Sequence, residues 1–113
     1  MAVAGSPADG QPPAVQAAFA ELRGRFVAGL PQRWQEIEAA GSRAALEAAL
    51  HRLVGAAASF GLVPLGEAAR RAETLARRPA GQALPGQADP VATALDAALD
   101  ELRQLIDQAV TVR

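Results

Sequence analysis

The sequence has no cysteine and no tyrosine, and its aromatic residues are three phenylalanines and one tryptophan. Without cysteine the chain can form no disulfide and no thiolate zinc site, and it has no cysteine nucleophile. Aromatic and β-branched residues favour strands, so their scarcity argues against a sheet. Half of the residues are hydrophobic, and many of these are alanine, the strongest helix former. The composition therefore predicts an all-α protein.

Long apolar runs and a strong net charge are also missing. No stretch of about 18 apolar residues is present, so we expect no membrane-spanning helix. The first residues lack the charged segment and apolar run of a secretory signal. A formal net charge of −1 gives no reason to expect binding to nucleic acid or to an anionic membrane. We expect a cytoplasmic protein whose 113 residues form a single domain.

Glycine and proline mark the irregular parts of the chain. Residues 1–12 contain both among small and polar residues, and they are predicted to be a disordered tail. Residues 79–88 have the same character and are predicted to be a flexible loop. The domain is expected to occupy residues 13–113.

The remaining sequence has the apolar spacing of helices. A first helix is predicted from Pro13, with Phe19, Leu22 and Phe26 as one apolar stripe. Four further helices are predicted over 31–40, 43–60, 64–78 and from residue 90 onward. Short links between them predict an antiparallel four-helix bundle with a short additional N-terminal helix. The predicted core positions of the last three helices are Leu46, Leu50, Leu53, Ala57 and Phe60; Leu65, Ala68, Ala69, Ala72, Leu75 and Ala76; and Val91, Leu95, Ala98, Leu102, Leu105 and Ala109.

His51 is the only histidine, and it does not belong to the core stripe. At about 100° per residue it lies roughly 130° from the centre of that stripe, at the solvent boundary. Its helical neighbours include the small residues Ala48, Gly55 and Ala58. A glycine inside a helix costs up to about 1 kcal/mol relative to alanine, and one reason to keep it is to let a large group approach. Close helix packing at Gly55, and a histidine without a function, are the alternatives.

The next helix carries charged residues that could face this histidine. Arg70, Glu73 and Arg77 are spaced by three and four residues, so they share one flank. A carboxylate that accepts the Nδ1 proton of a histidine fixes the tautomer and leaves Nε2 as a nucleophile. A nearby arginine can neutralise a phosphoryl group. Alternatively, Glu73 and Arg77 form only a surface pair worth a few tenths of a kcal/mol.

The residues from His51 to Gly61 read His-Arg-Leu-Val-Gly-Ala-Ala-Ala-Ser-Phe-Gly. This segment resembles the signature of histidine-containing phosphotransfer (HPt) domains of bacterial two-component phosphorelays. That signature has a histidine, an apolar residue, usually a lysine, a glycine, a small-residue stretch and a later glycine. The resemblance extends over about residues 14–110. The departure is Val54, which stands where the family usually has lysine.

The resemblance implies roles for individual residues. His51 is similar to the phosphoacceptor of the family, and Glu73 to a Gln or Glu that hydrogen-bonds the imidazole. Arg77 matches a position that is sometimes basic and would supply charge for the phosphoryl group. The residues expected to contact the partner are Ala48, Val54, Gly55, Ala58 and Arg70.

The resemblance implies a phosphocarrier without kinase activity of its own. It would take a phosphoryl group from a receiver-domain aspartate onto His51 and pass it to another receiver. The expected partners are receiver domains, a hybrid histidine kinase, or both. No cofactor is expected on this chain, since the Mg²⁺ would belong to the receiver, and we expect a monomer.

Two other functions are considered. The chain could dock a receiver or kinase without carrying phosphate, as Val54 suggests, or be a structural helical protein that self-associates through alanine-rich faces.

Overall fold

The computed structural model describes residues 12–78 and 89–112, and within these ranges it contains α-helices and no strand. The prediction of an all-α protein is therefore confirmed. The predicted loop over 79–88, and the predicted tail apart from Pro12, lie outside the described residues. The helices are α1 (Pro13–Ala28), α2 (Leu30–Ala39), α3 (Arg43–Ser59), α4 (Val63–Arg77) and α5 (Pro90–Val112).

Helix α3 begins and ends at residues that the sequence singles out. The Ser42 side chain accepts a hydrogen bond of 3.1 Å from the Ala45 amide, so Ser42 is its N-cap. At the other end, Gly61 has a φ of +71°, a conformation that glycine adopts without strain. The Leu62 amide donates to the Ala57 carbonyl at 2.9 Å, as in a Schellman motif. This turn sends the chain directly into α4.

Helices α3 and α4 run antiparallel and pack closely. Arg43, at the start of α3, donates to the carbonyl oxygens of Leu75 and Ala76 near the end of α4, at 3.3 and 3.5 Å. At the opposite end of the pair, a Cβ atom on Gly66 would lie 3.6 Å from the Ala57 Cβ. Small residues on the facing sides allow this close approach. The pair is the rigid base on which the candidate site is built.

Helices α2 to α5 surround one hydrophobic core. Helix α4 also packs on α5, and α2 contacts both α3 and α5. Most of the predicted core positions in α3, α4 and α5 are buried or pack against the core. Ile106 is also buried, although it was not among the predicted core positions of α5. The largest fully buried side chains are Leu30, Leu50, Leu53 and Leu102.

Helix α1 departs from the prediction. Phe19 and Phe26 both pack on the ring of Phe60, but Phe19 and Leu22 are 43% and 52% exposed, so only Phe26 of the predicted stripe is buried. The buried residues of α1 are Phe26 and Val27, both in its last turn. The helix has 16 residues against 10 in α2, so the expected short additional helix is not confirmed.

Candidate functional site

His51 lies in the middle of α3, and its side chain is 71% exposed. Its Nδ1 atom is 2.7 Å from Oε2 of Glu73 on α4. A carboxylate only accepts hydrogen bonds, so Nδ1 is the donor in this pair. In a neutral imidazole this leaves the lone pair on Nε2. One ring nitrogen is therefore bound to a fixed acceptor, and the other can serve as a nucleophile.

Glu73 is buried, with 5% of its surface exposed, and a buried carboxylate is unfavourable unless it has partners. Besides His51, it accepts a hydrogen bond of 2.7 Å from Nη2 of Arg77. The Nε atom of Arg77 donates in turn to Oε1 of Glu47, at 2.9 Å. These four side chains form one hydrogen-bonded chain across the α3–α4 pair. Such a network restricts the imidazole to one orientation.

Helical spacing explains how the four residues come together. Glu47 and His51 are four residues apart on α3, and Glu73 and Arg77 are four residues apart on α4. Each pair therefore lies on one side of its helix, one turn apart. Glu47 was not a predicted site residue. Its spacing from His51 and its charge opposite to Arg77 were the signals that could have found it.

Small side chains surround the imidazole. Ala44 and Ala48 line a shallow cavity of about 360 Å³ together with the hydrogen-bonded chain. A Cβ atom added to Gly55 would meet no atom within 4 Å. Close helix packing is therefore not the reason for this glycine, and that alternative is wrong. Ala58 is exposed as well, so the surface around His51 is open.

Val54 and Arg70 differ in their surroundings from the other predicted contact residues. Val54 is half-buried and packs against the core. Arg70 is exposed and makes no hydrogen bond or ion pair to any described residue. Arg77, predicted to supply charge for a phosphoryl group, instead has its guanidinium bonded to two carboxylates. The roles assigned to all three remain predictions.

Other kinds of site have no support in the part of the chain that the structure describes. No group of three or more histidine, cysteine, aspartate or glutamate side chains is placed there to hold a metal ion. Among the described helices, none combines the length and apolar character needed to cross a bilayer.

Comparison with models of protein families matches residues 21–109 to the Hpt domain. The chain belongs to the Hpt family. The match includes all of α2, α3 and α4, α5 as far as residue 109, and every residue of the hydrogen-bonded chain. The resemblance predicted from residues 51–61 is therefore confirmed. Neither the curated proteins nor the solved structures with which the chain was compared include a match.

Membership connects the chain to phosphorelays. Hpt domains take part in histidine phosphotransfer, and they interact with receiver domains and histidine kinases. They are phosphocarriers rather than catalysts with a kinase activity of their own. The function of this Hpt domain therefore has to account for an exposed histidine that is bonded to a buried glutamate.

Proposed function

We propose that this chain is a phosphocarrier that accepts a phosphoryl group on His51 from a receiver-domain aspartate and passes it to another receiver. The observation that carries the proposal is the 2.7 Å contact between His51 Nδ1 and the buried Glu73. The His51 side chain is otherwise open to solvent. A free surface histidine would rotate and exchange its tautomers. Here Nδ1 is bound to Glu73, which leaves Nε2 for the proposed attack.

The proposed transfer is a substitution at phosphorus. The Nε2 lone pair attacks the phosphoryl group of the aspartyl phosphate, the new P–N bond forms, and the P–O bond to the aspartate breaks. The electron pair leaves with the aspartate carboxylate. The imidazole then carries a positive charge, which Glu73 stabilises through the Nδ1 hydrogen bond. The reverse reaction delivers the group to a second receiver.

Phosphoryl transfer depends mainly on positioning and charge neutralisation. Positioning is assigned to Glu73, which Arg77 and Glu47 hold in place. The open surface formed by Ala48, Gly55 and Ala58 would let a receiver approach the imidazole closely. The Mg²⁺ is assigned to the receiver, and this chain is proposed to act as a cytoplasmic monomer without a cofactor of its own.

The test is transfer from a phosphorylated cognate receiver or hybrid kinase. We expect radiolabelled phosphate to move to this chain and then to a second receiver, and to be acid-labile and base-stable. His51→Ala should accept no label. Label that survives in His51→Ala, or no label from any competent partner, would reject the proposal.

One observation favours a second candidate, a module that docks a receiver or kinase without carrying phosphate. Val54 is an apolar residue that packs on the core where the family usually has lysine. This function predicts that a receiver binds His51→Ala as tightly as the unchanged chain, while no partner phosphorylates either protein. Phosphorylation of the unchanged chain would exclude it.

A further inference from the structure

A phosphoryl group on His51 would bring close to two negative charges to the surface of α3. The nearest cation in the hydrogen-bonded chain is Arg77, but two carboxylates already accept hydrogen bonds from it. Glu73 and Glu47 together compensate its positive charge. To bind the phosphoryl group, the guanidinium would have to leave the carboxylate that orients the imidazole. Arg77 is therefore suited to holding Glu73, and the new charge needs another partner.

The register of α3 against α4 makes Arg70 the candidate cation for the phosphoryl group. Glu47 faces Arg77, His51 faces Glu73, and further along Ala57 faces Gly66. One turn beyond the His51–Glu73 pair, the same register brings Val54 of α3 opposite Arg70 of α4.

Three properties of Arg70 agree with a role at the phosphoryl group. It lies three residues before Glu73 and, at about 100° per residue, within roughly 20° of Arg77 around α4, so it is on the flank that borders α3. Its side chain is exposed, and no carboxylate of the described residues pairs with it. A guanidinium can donate two parallel hydrogen bonds to phosphoryl oxygens.

We propose that Arg70 is the residue that binds the phosphoryl group on phospho-His51, while Arg77 only positions Glu73. The inference rests on the proposed phosphocarrier function. Val54, opposite Arg70, is apolar and cannot bind the phosphoryl group. The cation for the phosphoryl group on this side of the site therefore comes from α4 and not from α3.

The test uses phosphoramidate, a small donor that makes the outcome independent of any partner protein. His51 Nε2 attacks its phosphorus, a P–N bond to the imidazole forms, the original P–N bond breaks and ammonia leaves. The full chain, Arg70→Gln, Arg77→Gln and a matched control, Arg78→Gln, are phosphorylated in parallel. Arg78 follows α4 as its exposed C-cap and lies about two helical turns beyond Arg70 along the chain, so the control removes the same charge elsewhere.

The two measured quantities are the pKa of the phosphoryl group and the phosphorylation rate. A cation beside a phosphoryl group favours its dianion, so in ³¹P NMR titrations the pKa of the phosphoryl group should rise by about half a pH unit in Arg70→Gln. It should not change in Arg78→Gln. The phosphorylation rate should fall about three- to tenfold in Arg70→Gln, and adding Val54→Lys to that variant should restore it. Circular dichroism should report unchanged helix content in each variant.

The failures of the two proposals are distinguishable. If His51 is phosphorylated normally but the Arg70→Gln titration coincides with those of the unchanged chain and Arg78→Gln, the role of Arg70 is excluded and the phosphocarrier function stands. A raised phosphoryl pKa in Arg77→Gln alone would assign the charge to Arg77 and overturn the inference. If phosphoramidate and phosphorylated receivers both leave His51 unmodified, both proposals fail.

Discussion

Glu73 is a charged residue whose side chain is buried. Replacing a buried ionic group by an apolar side chain of similar volume is often neutral or stabilising. The partners of Glu73 are largely exposed, since the side chains of His51 and Arg77 are 71% and 54% exposed. Water can therefore solvate both if the carboxylate is removed. We therefore expect the chain to fold without this glutamate, so the reason for its presence would be that it orients the imidazole.

Glu73→Leu should separate stability from function. The free energy of unfolding should stay unchanged or increase, measured by chemical denaturation. The phosphorylation rate of His51 should fall by about ten- to a hundredfold, because the nucleophile loses its fixed orientation. The ¹⁵N chemical shifts of the imidazole should report a loss of the single Nδ1–H tautomer. Glu73→Gln is the control, since its amide oxygen can still accept the Nδ1 proton. Equal rates in Glu73→Leu and the unchanged chain would refute the orienting role.

The sequence was sufficient to bring His51, Glu73 and Arg77 together as candidates, because helical spacing gives the side of a helix on which a residue lies. The partners of Arg77 could not be predicted from the sequence. Whether Arg77 binds a phosphoryl group or two carboxylates depends on the register of α3 against α4. That register depends on packing between the two helices, as where Gly66 faces the Ala57 Cβ, and not on spacing within either helix.

Gly55 lowers the stability of α3, and no close packing requires a glycine at this position. Because a Cβ atom at this position would meet open space and glycine is a poor helix former, Gly55→Ala should raise the free energy of unfolding by about 0.5–1 kcal/mol. Thermal and chemical denaturation would measure the change. A decrease in stability would mean that the glycine has a structural role.

A larger side chain at Gly55 should affect binding instead of folding. Gly55→Leu is expected to leave the helix content unchanged and to weaken binding of a receiver domain, measured by calorimetry, because its side chain would project into the open surface beside His51. Ala45→Leu is the matched control, on an exposed part of α3 that faces away from His51. Equal loss of affinity in the two variants would contradict a docking surface at Gly55.

At the scale of the helices, the sequence predicted α3, α4 and α5 well, because apolar spacing agrees with a start signal in each: a capping residue in α3 and α5, and a proline in the first turn of α4. Ser42 and Asp89 each accept a hydrogen bond from the first turn of the following helix. The apolar spacing of α1 was equally regular, yet Phe19 and Leu22 are exposed. Spacing gives the apolar side of a helix, but only tertiary packing decides how much of that side another helix covers.

At the scale of the whole molecule, we expect local stability to differ between the described helices. The residues of α1 before Phe26 contribute no buried side chain, whereas α3 and α4 pack on each other along their length. Amide hydrogen exchange is expected to be fast in the first half of α1 and slowest in α3 and α4, because local opening there needs core contacts to break. Protection in α1 equal to that in α3 would show that its exposed apolar side is covered in solution.

The molecule as a whole is proposed to present one nucleophile, His51, for phosphoryl transfer. The most direct measurement is mass spectrometry of the intact chain and its peptides after reaction with a phosphorylated receiver, with a second Hpt domain as positive control. We expect one phosphoryl group per chain, on His51, lost in acid and stable in base, and absent from His51→Ala. A phosphoryl group on another residue, or an unmodified chain under conditions that phosphorylate the control, would contradict it.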